Sequence, residues 1–403
     1  MALLLAKGKD FASWRGVEEF AVTYRDAAVK LASRKHPEGI SQMLELIEEQ
    51  INSVAKENNR LNTEVERLIF ELERIFEPGE LRTVLFSFYR YSYQHFRRFR
   101  SASAFFKMSD SILSGMLKTC LKLAKQHIDS NFPNMALVTM GPVGRRETTR
   151  FCRLQLALVW EGKADEKQIE NLGKELVAWL RVAGIAIEEL ITPLNANWCG
   201  NLEKWQKQFD SALLTRERSE FIELLRLADQ SVIFSEGTVG DNFTRLCANY
   251  LEKPDFIANL AERCQLLSNG ISMMGNLKLE KTGPHRGAFS LLDHALLPLS
   301  ASVTVICLIN GVAKNGTVER LRELVRIGKL DVDLAERAVH AWHCFSEHRI
   351  NLEQHASPGQ DCRDILHLVP SDLETAEYER LFSSLETVGD LQRYTQISFG
   401  MHA

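Results

Sequence analysis

Met140-Gly141-Pro142-Val143-Gly144-Arg145-Arg146-Glu147, followed by Phe151-Cys152-Arg153-Leu154-Gln155-Leu156-Ala157-Leu158-Val159-Trp160, is the stretch whose reading decides the fold. The apolar run from Met135 to Met140 has the length and composition of a buried strand, and the run from Leu154 to Trp160 reads as a second. Between them, Gly-x-x-Gly-Arg-Arg-Glu reads as a tight turn with a short helix start, because glycine reaches backbone angles that other residues resist. Strand, glycine turn and strand is therefore the expected nucleus.

Working outward, residues 1 to about 130 read as helices. The clearest runs from Ser41 to Phe76, with apolar residues at Ile47, Ile51, Val54, Leu61, Val65, Leu68, Leu72 and Ile75. This is a heptad seam with Asn58 in its skipped position, and it suits either a homodimer coiled coil or packing within the chain. Glu77-Pro78-Gly79 ends it. Phe86, Phe88, Tyr89, Tyr91, Tyr93, Phe96 and Phe99 then interleave with Arg90, Arg97, Arg98 and Arg100. Such a mixture can stack single-stranded nucleic acid, but an amphipathic helix with an aromatic core face and a basic outer face explains it more simply. Ser109 to His127 reads as a helix capped by Ser109 or Asp110.

Beyond Trp160 the pattern gives a helix from about Asp165 to Val182 and a third strand at Ile185–Ile191. Trp198, Leu202, Trp205 and Phe209 then fall on one helical face, and a short strand follows at Ala228–Phe234. From about Phe256 the chain reads as helical to its end. Thr317 is the expected cap of a helix beginning Thr-Val-Glu-Arg-Leu, and further helices are expected at Asp331–Gln354, Pro370–Leu385 and after Glu386.

These segments, in this order, resemble one branch of the DNA polymerase β superfamily. The branch includes PII uridylyltransferases and a related nucleotidyltransferase family with a C-terminal substrate-binding domain. Its pattern is Gly-Ser-x-Gly-Arg-x-Glu, a short spacer, then Asp-x-Asp opening the next strand. Gly141, Gly144, Arg145 and Glu147 match it; the Ser position is Pro142, and the two Asp positions fall on Cys152 and Leu154. Three further segments add to the resemblance: Asn197–Phe209, Lys281-Thr-Gly-Pro-His-Arg-Gly287 and Asn315–Leu324.

The resemblance implies an α+β chain. A polymerase β-type core, a small mixed sheet with helices, is flanked by N-terminal helices and a C-terminal all-α bundle. The expected boundaries are 1–84, 85–255 and 256–403. It also implies nucleotidyl transfer from a nucleoside triphosphate to a protein or small molecule, with Mg²⁺ as cofactor. The departures speak against that activity here. Mg²⁺ takes hard oxygen ligands, whereas a thiol is soft and mostly neutral at pH 7. Leu154 cannot ligate, and Pro142 offers neither hydroxyl nor N–H. Without paired metals, in-line displacement at phosphorus loses its clamp.

The expected function is thus a catalytically inactive regulatory or signal-transduction pseudo-enzyme that keeps a nucleotide or a partner protein in the old cleft. Gly141, Gly144, Arg145 and Arg146 would supply backbone and guanidinium donors to phosphates. One alternative is an active metal-dependent nucleotidyltransferase drawing carboxylates from Glu147, Glu188 or Glu189; Mg²⁺ and a nucleoside triphosphate belong to that case. A second is a dimeric helical scaffold acting through the Ile47–Ile75 seam.

Composition narrows the classes further. The 403 residues, 45% hydrophobic and 25% charged, are ordinary for a globular chain of about two to three domains. A net charge of -4 gives no global basic field for nucleic acid. The 8 cysteines are scattered without Cys-x-x-Cys, as expected of reduced thiols in a cytoplasm. The start, Met-Ala-Leu-Leu-Leu-Ala-Lys, is too short for a signal peptide, and no apolar run long enough for a membrane span, about 18 residues, is expected. His340, His343 and His348 lie near one face of a helix with Cys344 and His355. Zinc could use such residues, but surface and interface histidines are the simpler expectation.

Overall fold

The computed structural model describes residues 56–398 apart from 57, 58, 61, 129, 216–224 and 358. Ile47, Ile51, Val54, Asn58 and Leu61 of the heptad seam lie outside the described residues. The chain divides into two compact units, residues 1–116 and 117–403.

In the first unit, a helical stretch at 62–72 precedes α1 (Pro78–Phe99) and the start of α2 (Ala102–Ile128). Val65, Leu68, Leu72 and Ile75 are all buried within the single chain. A Cβ on Gly115 of α2 would lie 3.0 Å from Leu72 Cδ1, so the two helices meet closely there. Phe88, Tyr89, Tyr93 and Phe96 form the buried face of α1, and Tyr93 and Phe96 both pack on Phe105 of α2, at 5.2 and 6.0 Å between ring centres. Arg90, Arg97, Arg98 and Arg100 are exposed. This is the aromatic-inside, basic-outside helix anticipated from the sequence. Helix α2 starts seven residues before the expected Ser109, at Ala102, because Ser101 is its cap: the Ala104 N–H donates to Ser101 Oγ at 3.2 Å.

In the second unit, β1 (Met135–Met140) pairs antiparallel with β2 (Gln155–Trp160) and with β4 (Ser231–Ser235), while β2 pairs parallel with β3 (Cys199–Asn201). The sheet order is β3-β2-β1-β4. The third strand expected at Ile185–Ile191 is reduced to one bridge, Leu154 with Ile187. The third strand is instead Cys199–Asn201, too short to show an alternating pattern. Alternation sends Ala136, Val138 and Met140 of β1 and Ala157 and Val159 of β2 to one face. That face packs on Trp198, on Trp205 and Phe209 of α5 (Leu202–Thr215), and on Phe243 and Tyr250 of α6 (Val239–Leu251). Helix α4 (Glu166–Val182) begins as expected, with Asp165 accepting from the Lys167 and Gln168 N–H groups.

The C-terminal part contains α7 (Pro254–Leu266), α8 (Leu297–Ile309), α9 (Thr317–Arg326), α10 (Val332–His355), the short α11 (Cys362–Ile365) and α12 (Thr375–Ser398). Two corrections apply. A two-residue ladder of β5 (Phe289–Ser290) with β6 (His367–Leu368) interrupts the expected all-α bundle. The two helices expected on either side of Glu386 are one, running through Gly389 without a break, and no proline lies within it. The stretch Leu292–Ile309 is, by length and composition, apolar enough to cross a membrane, which corrects the expectation of no such run. More than half of it is buried, and α8 packs on α7, α9 and α12.

Candidate functional site

The site is built where β1 ends. Gly141 turns the chain at φ 61°, and Gly141–Gly144 forms one helical turn, α3. The Arg145 N–H donates to Gly141 O at 2.9 Å and the Glu147 N–H to Pro142 O at 2.8 Å. Arg146 takes φ 62°, a strained conformation for a residue with a Cβ, and its side chain is exposed.

Two neighbours press on the turn. A Cβ on Gly141 would lie 2.9 Å from Gln155 Oε1, and one on Gly144 would lie 1.8 Å from the Asp229 carbonyl oxygen. The first contact fixes which side of β2 faces the turn. Gln155 lies opposite Met140 in the ladder, so Gln155 belongs to the turn side, and its neighbour Leu154 does not. Lengthening the motif's spacer by one residue therefore puts Arg153 and Gln155, rather than Cys152 and Leu154, at the positions of the carboxylate pair. On either alignment no carboxylate stands there.

Three buried polar ties fasten this end of the core to the C-terminal helices. The first runs through Asp229, at the end of a 3₁₀ turn (Leu225–Asp229). Its carboxylate accepts from Arg145 Nη1 at 2.5 Å, Arg320 Nη1 at 2.7 Å and Thr304 Oγ1 at 3.3 Å. Burial opposes its charge, but the Arg145 and Arg320 guanidinium groups outweigh that and hold its carboxyl below the usual range. Arg320 also donates to Ala228 O at 2.8 Å and Lys314 O at 2.6 Å.

The second tie is Glu147, whose carboxylate accepts from Arg145 Nε at 3.0 Å, Thr317 Oγ1 at 2.5 Å and Trp342 Nε1 at 2.9 Å. Thr317 is thus not the cap of α9, as its sequence context implied. Gly316 holds that position, and the hydroxyl serves the core instead.

The third tie is Arg349 of α10. Its Nε donates to Glu353 Oε1 at 3.0 Å and its Nη1 to Glu147 O at 3.4 Å. Its Nη2 donates to Thr149 Oγ1 at 2.8 Å and to Cys152 Sγ at 2.7 Å. Thr149 Oγ1 donates onward to Glu353 Oε1 at 2.8 Å, and the Thr149 N–H donates to the Cys152 sulfur at 3.4 Å. Burial pushes the Glu353 carboxyl up, more than Arg349 and Thr149 pull it down. Trp342, Arg349 and Glu353 reach one region because spacings of seven and four place them on one face of α10.

The structure therefore brings Gly141, Gly144, Arg145, Glu147 and Cys152 together and adds Asp229, Arg320, Arg349 and Glu353, which sequence reasoning missed. The one signal for the last two was an Arg/Glu pair at i, i+4 inside an otherwise apolar helix face. Glu188 and Glu189 lie apart from the three ties: Glu189 pairs with Arg181 at the surface, and Glu188 bonds the Leu154 carbonyl through its backbone N–H. Leu154 is buried.

A divalent metal does not suit this donor set. On the longer spacer, Arg153 and Gln155 offer a guanidinium, paired with Asp361, and a neutral amide whose buried Oε1 has no hydrogen-bond partner. Magnesium needs anionic oxygen here, and a permanent cation, Arg349, already sits against Cys152.

The histidines of α10 do not form a metal cluster among the described residues. His348 is buried with its Nε2 unpartnered, and burial followed by the nearby Arg380 lowers its pKa to about 4. Arg380 itself pairs with Glu347 at 2.8 Å. Because this lies below the ordinary imidazole value of 6.5, the unfolded chain takes up the proton first as pH falls. Stability is expected to be complete above pH 6.5 and to fall by about 3 kcal/mol as pH drops towards 4. Urea unfolding across that range should show a steeper pH dependence for the natural chain than for His348→Leu; equal slopes would refute the assignment.

Comparison with known proteins agrees with this architecture. The family model described as Putative nucleotidyltransferase DUF294 matches residues 87–219, and that described as Putative nucleotidyltransferase substrate binding domain matches residues 254–399. No curated protein matches the chain. With the turn, the sheet and both matched regions in family order, the chain belongs to the putative nucleotidyltransferase family and carries that family's C-terminal substrate-binding domain.

Proposed function

We propose that this chain is a regulatory pseudo-enzyme: it keeps the nucleotidyltransferase architecture without nucleotidyl transfer and acts by binding. The observation that carries this reading is that the glycine turn faces Gln155, a neutral amide, and that no carboxylate stands among Cys152, Arg153 and Leu154 before it, where the reaction needs a pair of them. Glu147 is not available to replace them, because three buried donors already converge on its carboxylate.

The same geometry weighs on what is bound. Of the four residues expected to meet phosphates, Arg145 is spent on Glu147 and Asp229, and Gly144 is packed against a carbonyl oxygen. Arg146 alone presents an exposed guanidinium beside the turn. A single flexible cation makes a poor triphosphate cradle, so a partner protein is the favoured occupant and nucleotide the lesser one.

Calorimetric titration with ATP, UTP, GTP and CTP, each with and without Mg²⁺ or Mn²⁺, tests the proposal. The expected result is no metal-dependent binding and no turnover. Metal-dependent binding, with turnover lost in Glu147→Gln or Glu188→Gln, would establish the active enzyme instead.

A further inference from the structure

Two consecutive stretches of the first unit carry opposite charge. Asn62 to Glu80 holds 6 glutamates and 2 arginines, whereas Leu81 to Ser109 holds 5 arginines, 1 lysine and no acidic residue. The two signs do not cancel within the chain. Arg67 is taken by Glu64, at 2.6 Å, and by Glu71, and the Arg74 guanidinium lies 3.9 Å over the Phe70 ring. The acids Glu66, Glu73, Glu77 and Glu80 and the bases Arg82, Arg90, Arg97 and Arg98 are exposed, and they make no ion pair among the described residues.

The bases form a stripe. Arg82, Phe86, Arg90 and Arg97 are spaced by four, four and seven, which sets them along one face of α1. Arginine and aromatic residues are what interfaces are enriched in, and lysine is depleted there. Phe86 is 59% exposed on the stripe, and Phe70 and Phe76, which fall among the unpaired glutamates in sequence, are 51% and 73% exposed. Val65, Leu68, Leu72 and Ile75 are already buried within the chain, so the described part of the heptad seam has no apolar face left to offer.

We propose that this outer surface docks a second copy of the chain, the arginine stripe of α1 on each copy meeting the glutamates at 66–80 of the other. A two-fold pairing is self-complementary, residue i meeting j and j meeting i, so both sets of unpaired charge find partners at once. A polyanion would satisfy the arginines alone, and would meet the glutamates of the same unit on a chain of net charge -4. Complementary charge fixes register and partner, and the three phenylalanines add the apolar contact that exposed ion pairs lack. The pairing concerns the first unit and holds whether or not the chain is catalytic.

Sedimentation equilibrium of the full chain at micromolar concentration tests it. The natural chain is expected at twice the chain mass in about 50 mM salt and should dissociate towards monomer in about 0.5 M salt, because exposed charge is screened. Arg90→Glu with Arg97→Glu reverses two of the three arginines of the stripe, and Glu66→Arg with Glu73→Arg reverses two of the four unpaired glutamates. Each reversed chain alone should associate at least about tenfold more weakly than the natural chain. Mixed in equal amounts, the two should form a one-to-one pair, since each now supplies the sign the other lacks. All four positions are exposed, so circular dichroism should show the fold unchanged.

A natural chain that is monomeric at the lower salt would overturn the proposal. So would reversed chains that dimerise like the natural one, or two monomeric reversed chains that fail to pair when mixed. If a reversed chain does not fold, the salt dependence of the natural chain and Phe86→Ser decide it: association unchanged by either would overturn it. A natural chain that stays monomeric and binds a labelled oligoribonucleotide, with binding lost in Arg90→Glu/Arg97→Glu, would give the stripe to a polyanion instead.

Discussion

Asp229→Ala is expected to destabilise the unit at 117–403 by about 3–5 kcal/mol, the range for removing one partner from a buried ion pair. Two guanidinium groups depend on this carboxylate, with the Arg145 and Arg320 side chains only 11% and 4% exposed. Arg145 keeps Glu147 when Asp229 is lost, but Arg320 keeps only neutral acceptors, namely Thr304 Oγ1, Ala228 O and Lys314 O. The cost therefore lies mainly in a stranded Arg320 charge, and that has a signature. Adding Arg320→Met to Asp229→Ala should restore part of the stability, because an apolar side chain needs no counter-charge. Urea midpoints of the single and double variants measure the coupling. A double variant less stable than Asp229→Ala would show that packing at Arg320, not its charge, holds the α9 side of the site.

The sequence made the scaffold legible where pattern and length agree. Met135–Met140 and the run ending at Trp160 are apolar and bounded by turns, and both are strands. Asp165 and Asp331 precede amphipathic runs, and both accept the N–H bonds of helix caps. What failed was information of another kind. Cys199–Asn201 is a strand because β2 offers it an edge, and three residues carry no period. Thr317 has the composition of a cap, but a carboxylate 170 positions earlier claims its hydroxyl. The one-residue ambiguity between Cys152/Leu154 and Arg153/Gln155 is a question of strand phase. A single-residue slip inverts every side chain, and the side facing the turn shows only in the contact of Gln155 with Gly141. Motif spelling named the neighbourhood, but the long-range partners of Asp229 and Arg349 lie 75 to 202 residues away in sequence.

That contact geometry also gives the glycine motif a second meaning, and Gly144→Ala separates the two. If Gly144 is there to let a phosphate approach the backbone, an added methyl should spare the fold and remove ligand binding. The structure gives it a different task. The new Cβ would sit 1.8 Å from the Asp229 carbonyl oxygen and 3.0 Å from that of Thr139. Both are backbone atoms, so no side chain can rotate away. Either the end of β1 or the Asp229 turn must move, and moving Asp229 loosens its bonds to Arg145 and Arg320. Overpacking alone costs about 1–3 kcal/mol, and the weakened ion pairs should bring the total to about 4 kcal/mol or more. Gly162→Ala is the control: it sits at φ 79° with nothing within 4 Å of the added methyl, so only backbone strain of about 1 kcal/mol applies. Denaturation midpoints that place Gly144→Ala far below Gly162→Ala would assign Gly144 to core packing. Equal midpoints, with nucleotide binding present in the natural chain and absent in Gly144→Ala, would return the motif to the phosphate role its spelling implies.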